Sequence, residues 1–205
     1  MTRLLALPIL LALPLAAVAQ PDEINYLYLE LGLEQTRFDV PGSDIEADGP
    51  SIEGSVPIRE HIHLFGGYGA SEFDDIPDAD GIQKYAGIGT HFGIGQKLSV
   101  FGRLGFIEAD RDIGLGTVED DGVLVSGGVR YMPVPGWEIR GGFDYIDLDL
   151  DLGDSETFGR IGSDLFLTDV VALTVDLTLN DDANSIFLGA RFYFGNERPT
   201  SRLSR

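Results

Sequence analysis

Along most of the chain, apolar residues recur at every second position in runs of about ten residues. In NYLYLELGLEQ, Leu27, Leu29, Leu31 and Leu33 share one face, while Tyr26, Tyr28, Glu30, Gly32 and Glu34 share the other. SIEGSVPI, HIHLFGGYGAS, IQKYAGIGTHFGI and LSVFGRLGF alternate in the same way. So do GVLVSGGVRYM, WEIRGGFDY, TFGRIGSDLFL, VVALTVDLTL and SIFLGARFYF. Alternation of period two belongs to strands with one apolar face. Beyond the N-terminal segment no long stretch carries helical periodicity. The pattern predicts an all-β chain of about ten strands, with eight as the alternative.

The connections alternate in length. Arg59-Glu60, Gly95-Gln96, Pro133 to Gly136 and Thr168-Asp169 read as tight turns. Between them run longer acidic connections: Thr36 to Pro50, Glu72 to Gly81, Glu108 to Gly122, Asp147 to Glu156 and Asn180 to Asn184. Short turns at one end and long loops at the other describe a transmembrane, antiparallel up-and-down β-barrel. A soluble barrel or sandwich also alternates, with its apolar face turned inward. The aromatic residues favour the membrane. Phe92, Tyr131 and Trp137 fall at the short-turn end of the apolar faces, and Tyr68, Phe106 and Tyr145 at the loop end, as two interfacial girdles would. The opposite face is mostly Gly, Ser and charges of both signs, which suits a narrow lumen.

Residues 1–19 read as a signal peptide. Met1, Thr2 and Arg3 give a positive start, an apolar run extends from Leu4 to Leu15, and Ala17-Val18-Ala19 fits a small-x-small cleavage site. The run is shorter than the roughly 20 residues of a spanning helix. Cleavage leaves Gln20 first, a barrel over 20–194 and a short periplasmic tail over 195–205. Without Arg3, 13 Lys+Arg stand against 34 Asp+Glu. A chain so acidic excludes nucleic acid as a partner. Its 43% of hydrophobic residues excludes a disordered acidic chain, so charge and apolar surface are segregated. With no cysteine, neither a disulfide nor a lipid-bearing cysteine is available.

The signal peptide, HLFGGYGASEFDD, the Gly-rich alternating strands and the closing FLGARFYF resemble the small outer-membrane β-barrel proteins of proteobacteria, related to OmpA-like transmembrane domains. The resemblance covers nearly the whole chain after residue 19. It implies a bacterial outer-membrane location among outer-membrane lipids and lipopolysaccharide. In that family the barrel-assembly machinery reads a terminal aromatic strand, and Phe194 would hold that role here. The chain departs from the pattern by continuing past Phe194 with GNERPTSRLSR, and no peptidoglycan anchor is implied. A monomer is expected. With both termini periplasmic, the long loops face outward from the cell.

The stretch YIDLDLDLGDSE puts Asp147, Asp149 and Asp151 on the positions that are apolar from Trp137 onward. A charge facing lipid at depth costs about 2 kcal/mol or more. The register therefore marks the edge of the membrane near Tyr145. Leu148, Leu150 and Leu152 then fall on the lumen side, placed to cover the mouth; a β-bulge that switches faces is the alternative. A calcium loop fails on spacing, because Leu152 intervenes before Gly153.

The lumen face carries Glu30, Glu34, Glu53, Glu138, Asp144, Asp164 and Asp176 against Arg103, Arg130, Arg140, Arg160 and Arg191. In a narrow barrel these predict a satisfied network of ion pairs. A gated passage for water and small ions is the alternative. His61, His63 and His91 fall on one face of neighbouring strands, with His91 opposite His61 or His63. Three imidazoles are candidates for a transition-metal site or a pH-sensitive element. No histidine lies at the loop end, and the adjacent acids Asp74-Asp75 and Asp120-Asp121 read as solvated loop. No catalytic residue is assigned.

The remaining surface is an acidic rim: Asp44, Glu46, Asp48, Asp74, Asp75, Asp78, Asp80, Asp110, Asp112, Glu119, Asp120, Asp121, Asp149, Asp151 and Asp181. Carboxylate oxygens suit Ca²⁺ or Mg²⁺, which could bridge to lipopolysaccharide phosphates. Their field enriches cations at the mouth. The expected role is structural or interactive at the cell surface, through cations, lipopolysaccharide or adhesion. A narrow cation-preferring, porin-like channel is the alternative, and an outer-membrane enzyme the third.

Overall fold

The computed structural model describes residues 24–40, 43–74, 76, 79–112, 116–148 and 155–194. The expected signal peptide, Gln20 and the tail after Phe194 lie outside them. Among the described residues ten strands follow in chain order: β1 (Tyr28–Val40), β2 (Ser43–Arg59), β3 (Ile62–Phe73), β4 (Asp80–Ile94), β5 (Leu98–Asp112), β6 (Thr117–Val134), β7 (Trp137–Leu148), β8 (Ser155–Phe166), β9 (Val171–Leu179) and β10 (Ala183–Tyr193). Each pairs antiparallel with its sequence neighbours. β1 also pairs with β10, from Tyr28↔Tyr193 to Phe38↔Ala183, and this closes the barrel.

Burial follows the alternation with the sense of a membrane protein. On β5, Leu104 is 56% and Phe106 76% exposed, while Ser99 and Ile107 on the opposite face are buried. Large apolar side chains cover the outside of every strand and charged residues fill much of the inside. The rows of exposed aromatics stand where expected, with Phe92, Tyr131 and Trp137 near the short turns and Tyr68 and Phe106 toward the long hairpins. Trp137 donates its indole N–H to Ser163 Oγ on β8 at 2.8 Å.

The short turns are built from familiar devices. Gly95 and Gly136 take the positive φ values, 72° and 81°, that turns after β4 and β6 require. Between β8 and β9, Thr168 Oγ1 accepts the backbone N–H groups of Val170 and Val171. The turn after β2 falls at Glu60 and His61, one residue later than expected, so His61 stands in the turn and β3 begins at Ile62.

The expected long loops are largely strand. β1 reaches Val40 before β2 starts at Ser43, and β5 reaches Asp112 before β6 starts at Thr117. Asp, Gly and Pro in these segments signal loops. A closed sheet nevertheless offers every strand a partner on both sides, and the backbone ladder outweighs weak side-chain propensity. Gly49 marks one cost of the extension: a Cβ there would lie 1.9 Å from the Ala70 carbonyl oxygen.

Candidate functional site

The lumen is filled in layers. At the short-turn end Tyr28, Met132, Phe166, Ala172 and Tyr193 form an apolar cluster, with Ile24 packed against it. Toward the long hairpins Phe65, Ile107 and Leu124 form a second cluster, joined by Tyr85, Ile146 and Leu148. Leu148 thus takes the covering position that its register predicts. Leu150 and Leu152 lie outside the described residues, as do Asp149 and Asp151. Asp147 continues the outward register of β7, exposed and paired with Val123 and Ser155.

Between the two clusters lies the charge layer. Arg130 clamps Glu138 with two parallel bonds, Nε to Oε1 at 2.6 Å and Nη2 to Oε2 at 3.0 Å. Arg103 reaches Glu53 Oε1 at 3.3 Å and donates to the Tyr28 hydroxyl, which itself donates to Glu53. Tyr85 donates to the other Glu53 oxygen at 2.7 Å. Arg160 pairs with Asp144 at 2.9 Å. Arg140 bridges Asp164 at 3.1 Å and Asp176 at 2.7 Å, and Arg191 bridges Asp164 at 3.1 Å and Glu30 at 2.6 Å. Eleven of the twelve charged residues expected on this face enter an ion pair there. Glu34 lies farther toward the long hairpins, half-buried, with Gly49 and Phe187 as its register partners.

Among the cavities lined by the described residues, one of about 60 Å³ and one of about 50 Å³ share Glu53, Arg103, Ser126, Asp144 and Arg160 in their walls. Each has room for only a few water molecules.

The histidines stand at the short-turn end. His63 is fully buried, and its Nδ1 lies 3.3 Å from Nδ1 of His91. His91 faces His61, accepting no side-chain bond from it but donating its backbone N–H to the His61 carbonyl at 3.0 Å. The His61 and His91 rings meet edge-on with centroids 6.2 Å apart. Among the described residues no group of three or more His, Cys, Asp or Glu is arranged to hold a metal ion. Tyr26, from the segment before β1, fills the space beside this pair.

On the outside, beyond the aromatic row, the strands present carboxylates to one another. Register pairs Asp48 with Glu72, Glu72 with Asp80 and Asp80 with Asp112. Directly paired residues share a face, so four acidic side chains run side by side across β2, β3, β4 and β5. Glu108 faces Asp121 and Asp110 faces Glu119 in the same manner. Lys84 is the cation among them, 3.1 Å from Asp110 and 3.5 Å from Glu108. Glu46 is engaged by Arg37, and Asp74 and Asp181 are exposed. Asp75, Asp78 and the Asp44 side chain lie outside the described positions.

Asp120 departs from the expected rim. It shares the inward parity of Leu124, is buried, and its Oδ2 has no hydrogen-bond partner. Because β6 stays a strand through this segment, adjacent acids must point to opposite faces, and only Asp121 faces out.

Sequence reasoning missed the two apolar clusters. Their signal was present as Phe65, Ile107, Leu124 and Met132 at lumen parity, large apolar residues on the face otherwise given to Gly, Ser and charge. Phe194 follows β10 directly; its N–H donates to the Leu27 carbonyl at 3.0 Å and its own carbonyl accepts from the Asn25 amide at 2.9 Å.

The family described as outer membrane protein beta-barrel domain matches residues 5–194. Solved structures resemble the chain at low identity. Neisserial surface protein A is 14% identical, covering 83% of this chain and 98% of its own with a TM-score of 0.43. Ail, the attachment invasion locus protein of Yersinia pestis, is 17% identical over 80% of this chain and 97% of its own, with a TM-score of 0.40. The N-terminal barrel of Pseudomonas aeruginosa OprF is 15% identical over 82% and 97%, with a TM-score of 0.41. No curated protein matches the chain.

Proposed function

Because the chain belongs to the outer membrane protein beta-barrel domain family, and so to the bacterial outer membrane, we propose that it is a closed, non-enzymatic surface barrel. It works through the carboxylate face of its longer hairpins, which hold divalent cations and, through them, lipopolysaccharide phosphates. In this reading both termini are periplasmic and the long hairpins face outward.

The observation that carries it is the run Asp48, Glu72, Asp80 and Asp112 across four paired strands. Like charges directly opposite one another destabilise a sheet, with Cβ atoms only about 5 Å apart. Ca²⁺ binds carboxylate oxygens at about 2.3–2.6 Å and takes six to eight of them. Two neighbouring carboxylates at this spacing can share one ion and leave positions for phosphate oxygens. Lys84 pairs in register with Tyr68 of the aromatic row, so this face begins at headgroup level.

Calcium titration calorimetry on the barrel in phosphatidylcholine nanodiscs, with and without lipid A, tests the reading. Binding that weakens about tenfold in the double variant Glu72→Gln/Asp80→Asn, and that strengthens with lipid A, is the expected result. Equal heats from wild type and variant would remove it.

A narrow cation-preferring channel is the second reading, because the two lumen cavities adjoin. Planar-bilayer recordings separate the two. A folded barrel that stays silent is expected; discrete cation-selective steps would put the channel first.

A further inference from the structure

The charge layer is one guanidinium short. Arg130 is matched to Glu138, Arg103 to Glu53 and Arg160 to Asp144, one to one. What remains is Arg140 and Arg191 against three carboxylates, Glu30, Asp164 and Asp176.

The surplus is not on Asp164. That side chain is fully buried and accepts from Thr174, Tyr193, Arg140 and Arg191. Glu30 Oε2 accepts from Arg191 at 2.6 Å and stands 3.9 Å from Arg140. Asp176 Oδ2 accepts from Arg140 at 2.7 Å, but its Oδ1 is buried with no hydrogen-bond partner. Both Glu30 and Asp176 line the cavity of about 50 Å³, enough for an ion with a water or two. An uncompensated carboxylate in such a place is costly unless it is neutralised or paired.

We propose that this inner chamber is a binding site for one monovalent cation, a proton or an alkali-metal ion, held between Glu30 and Asp176. The site is independent of the outward carboxylate face. The charged and titratable groups facing it are Tyr28 of β1, Arg130 of β6, Arg140 and Asp144 of β7, Arg160 and Asp164 of β8, Arg191 of β10 and, across the chamber, Glu53 of β2 and Arg103 of β5. All of these are committed to the pairs described, which leaves the added cation as the balancing charge.

Neutralising Asp176 removes the need for the cation. The test compares thermal unfolding midpoints of wild type and Asp176→Asn, read by heat-dependent gel mobility in choline chloride between about pH 5 and about pH 9.5. A proton held by the native barrel is released from an unfolded carboxyl in this range, so native stability must fall as pH rises. The wild-type midpoint is therefore expected to drop by about 3 °C or more relative to the variant across the range. The difference cancels the histidines, which both proteins share. If sodium chloride in place of choline chloride closes the gap at high pH, the occupant is an alkali-metal ion; if the gap persists, it is a proton. Wild-type and variant profiles that run parallel in both salts would overturn the site. Glu30→Gln should reproduce the pattern, and it replaces Asp176→Asn if that variant does not fold.

Discussion

Tyr26 lies flat against His91, with ring centroids 3.8 Å apart and planes 10° from parallel. One residue precedes β1 and the other stands near the end of β4, so the segment before β1 crosses the mouth of the barrel. Its hydroxyl donates to Ser99 Oγ of β5 at 3.0 Å, the Ser99 hydroxyl being turned to the Phe92 carbonyl. The Arg130 guanidinium of β6 covers the ring at 4.6 Å and also donates to the Asn25 carbonyl at 2.9 Å. The segment before β1 thereby covers the lumen at the short-turn end.

Tyr26→Ala should destabilise the folded barrel by about 3 kcal/mol, the cost of deleting a buried aromatic. Tyr26→Phe keeps the stack and loses only the bond to Ser99, so about 1 kcal/mol is expected. Urea-gradient gel mobility of the two variants measures both. Equal losses would mean that the hydroxyl, not the ring, holds the segment in place.

Breaking the Arg130–Glu138 clamp on one side leaves a buried charge without its partner. Glu138→Gln is expected to cost about 3–5 kcal/mol, and replacing both residues by Met should recover most of it. A double-mutant cycle from equilibrium unfolding gives the answer. A double variant as unstable as Glu138→Gln would show that the pair supplies net stability of its own.

Two lumen-facing glycines are expected to behave oppositely. A Cβ on Gly87 would lie 2.2 Å from the Leu104 carbonyl oxygen, whereas one on Gly69 would meet nothing within 4 Å. Gly87→Ala should cost about 2 kcal/mol or more by forcing β4 and β5 apart. Gly69→Ala should stay within about 0.5 kcal/mol of wild type. Folding yield into lipid vesicles and unfolding midpoints distinguish them.

The edge of the apolar belt can be located on one strand. Leu104 and Glu108 share the outward face of β5 on either side of Phe106. Leu104→Arg is expected to cost about 2–4 kcal/mol in a bilayer, and Glu108→Arg about 1 kcal/mol or less. Similar costs at both positions would place the bilayer edge farther out than Phe106.

Much of this architecture was legible in the chain. Period-two alternation gave the ten strands and both faces, because side-chain direction in a strand depends only on parity. Parity also put the arginines and carboxylates inside, although it could not say which would touch. Arg191 meets Glu30 only because β10 closes onto β1, a contact between distant strands that no local pattern encodes. The hairpin extensions were misread for a related reason. Asp48, Glu72, Asp80 and Asp112 look like loop acids one at a time, and become a row only once the register of four strands is fixed. Asp120 followed the same logic, since its buried position depends on β6 continuing as a strand through Asp120-Asp121.

The seam between β1 and β10 has a consequence in time. Tyr28 pairs with Tyr193, so the first strand waits for the last before either edge is covered. Until then two long strand edges stand open to other chains, and such distant pairing is slow to form. The same event delivers Arg191 to Glu30. A barrel that has not closed therefore keeps the Glu30 carboxylate without this partner, and closure and its neutralisation are achieved in a single step. A chain halted before Arg191 would carry a lasting electrostatic mark of its incompleteness, one that distinguishes a finished barrel from an abandoned one.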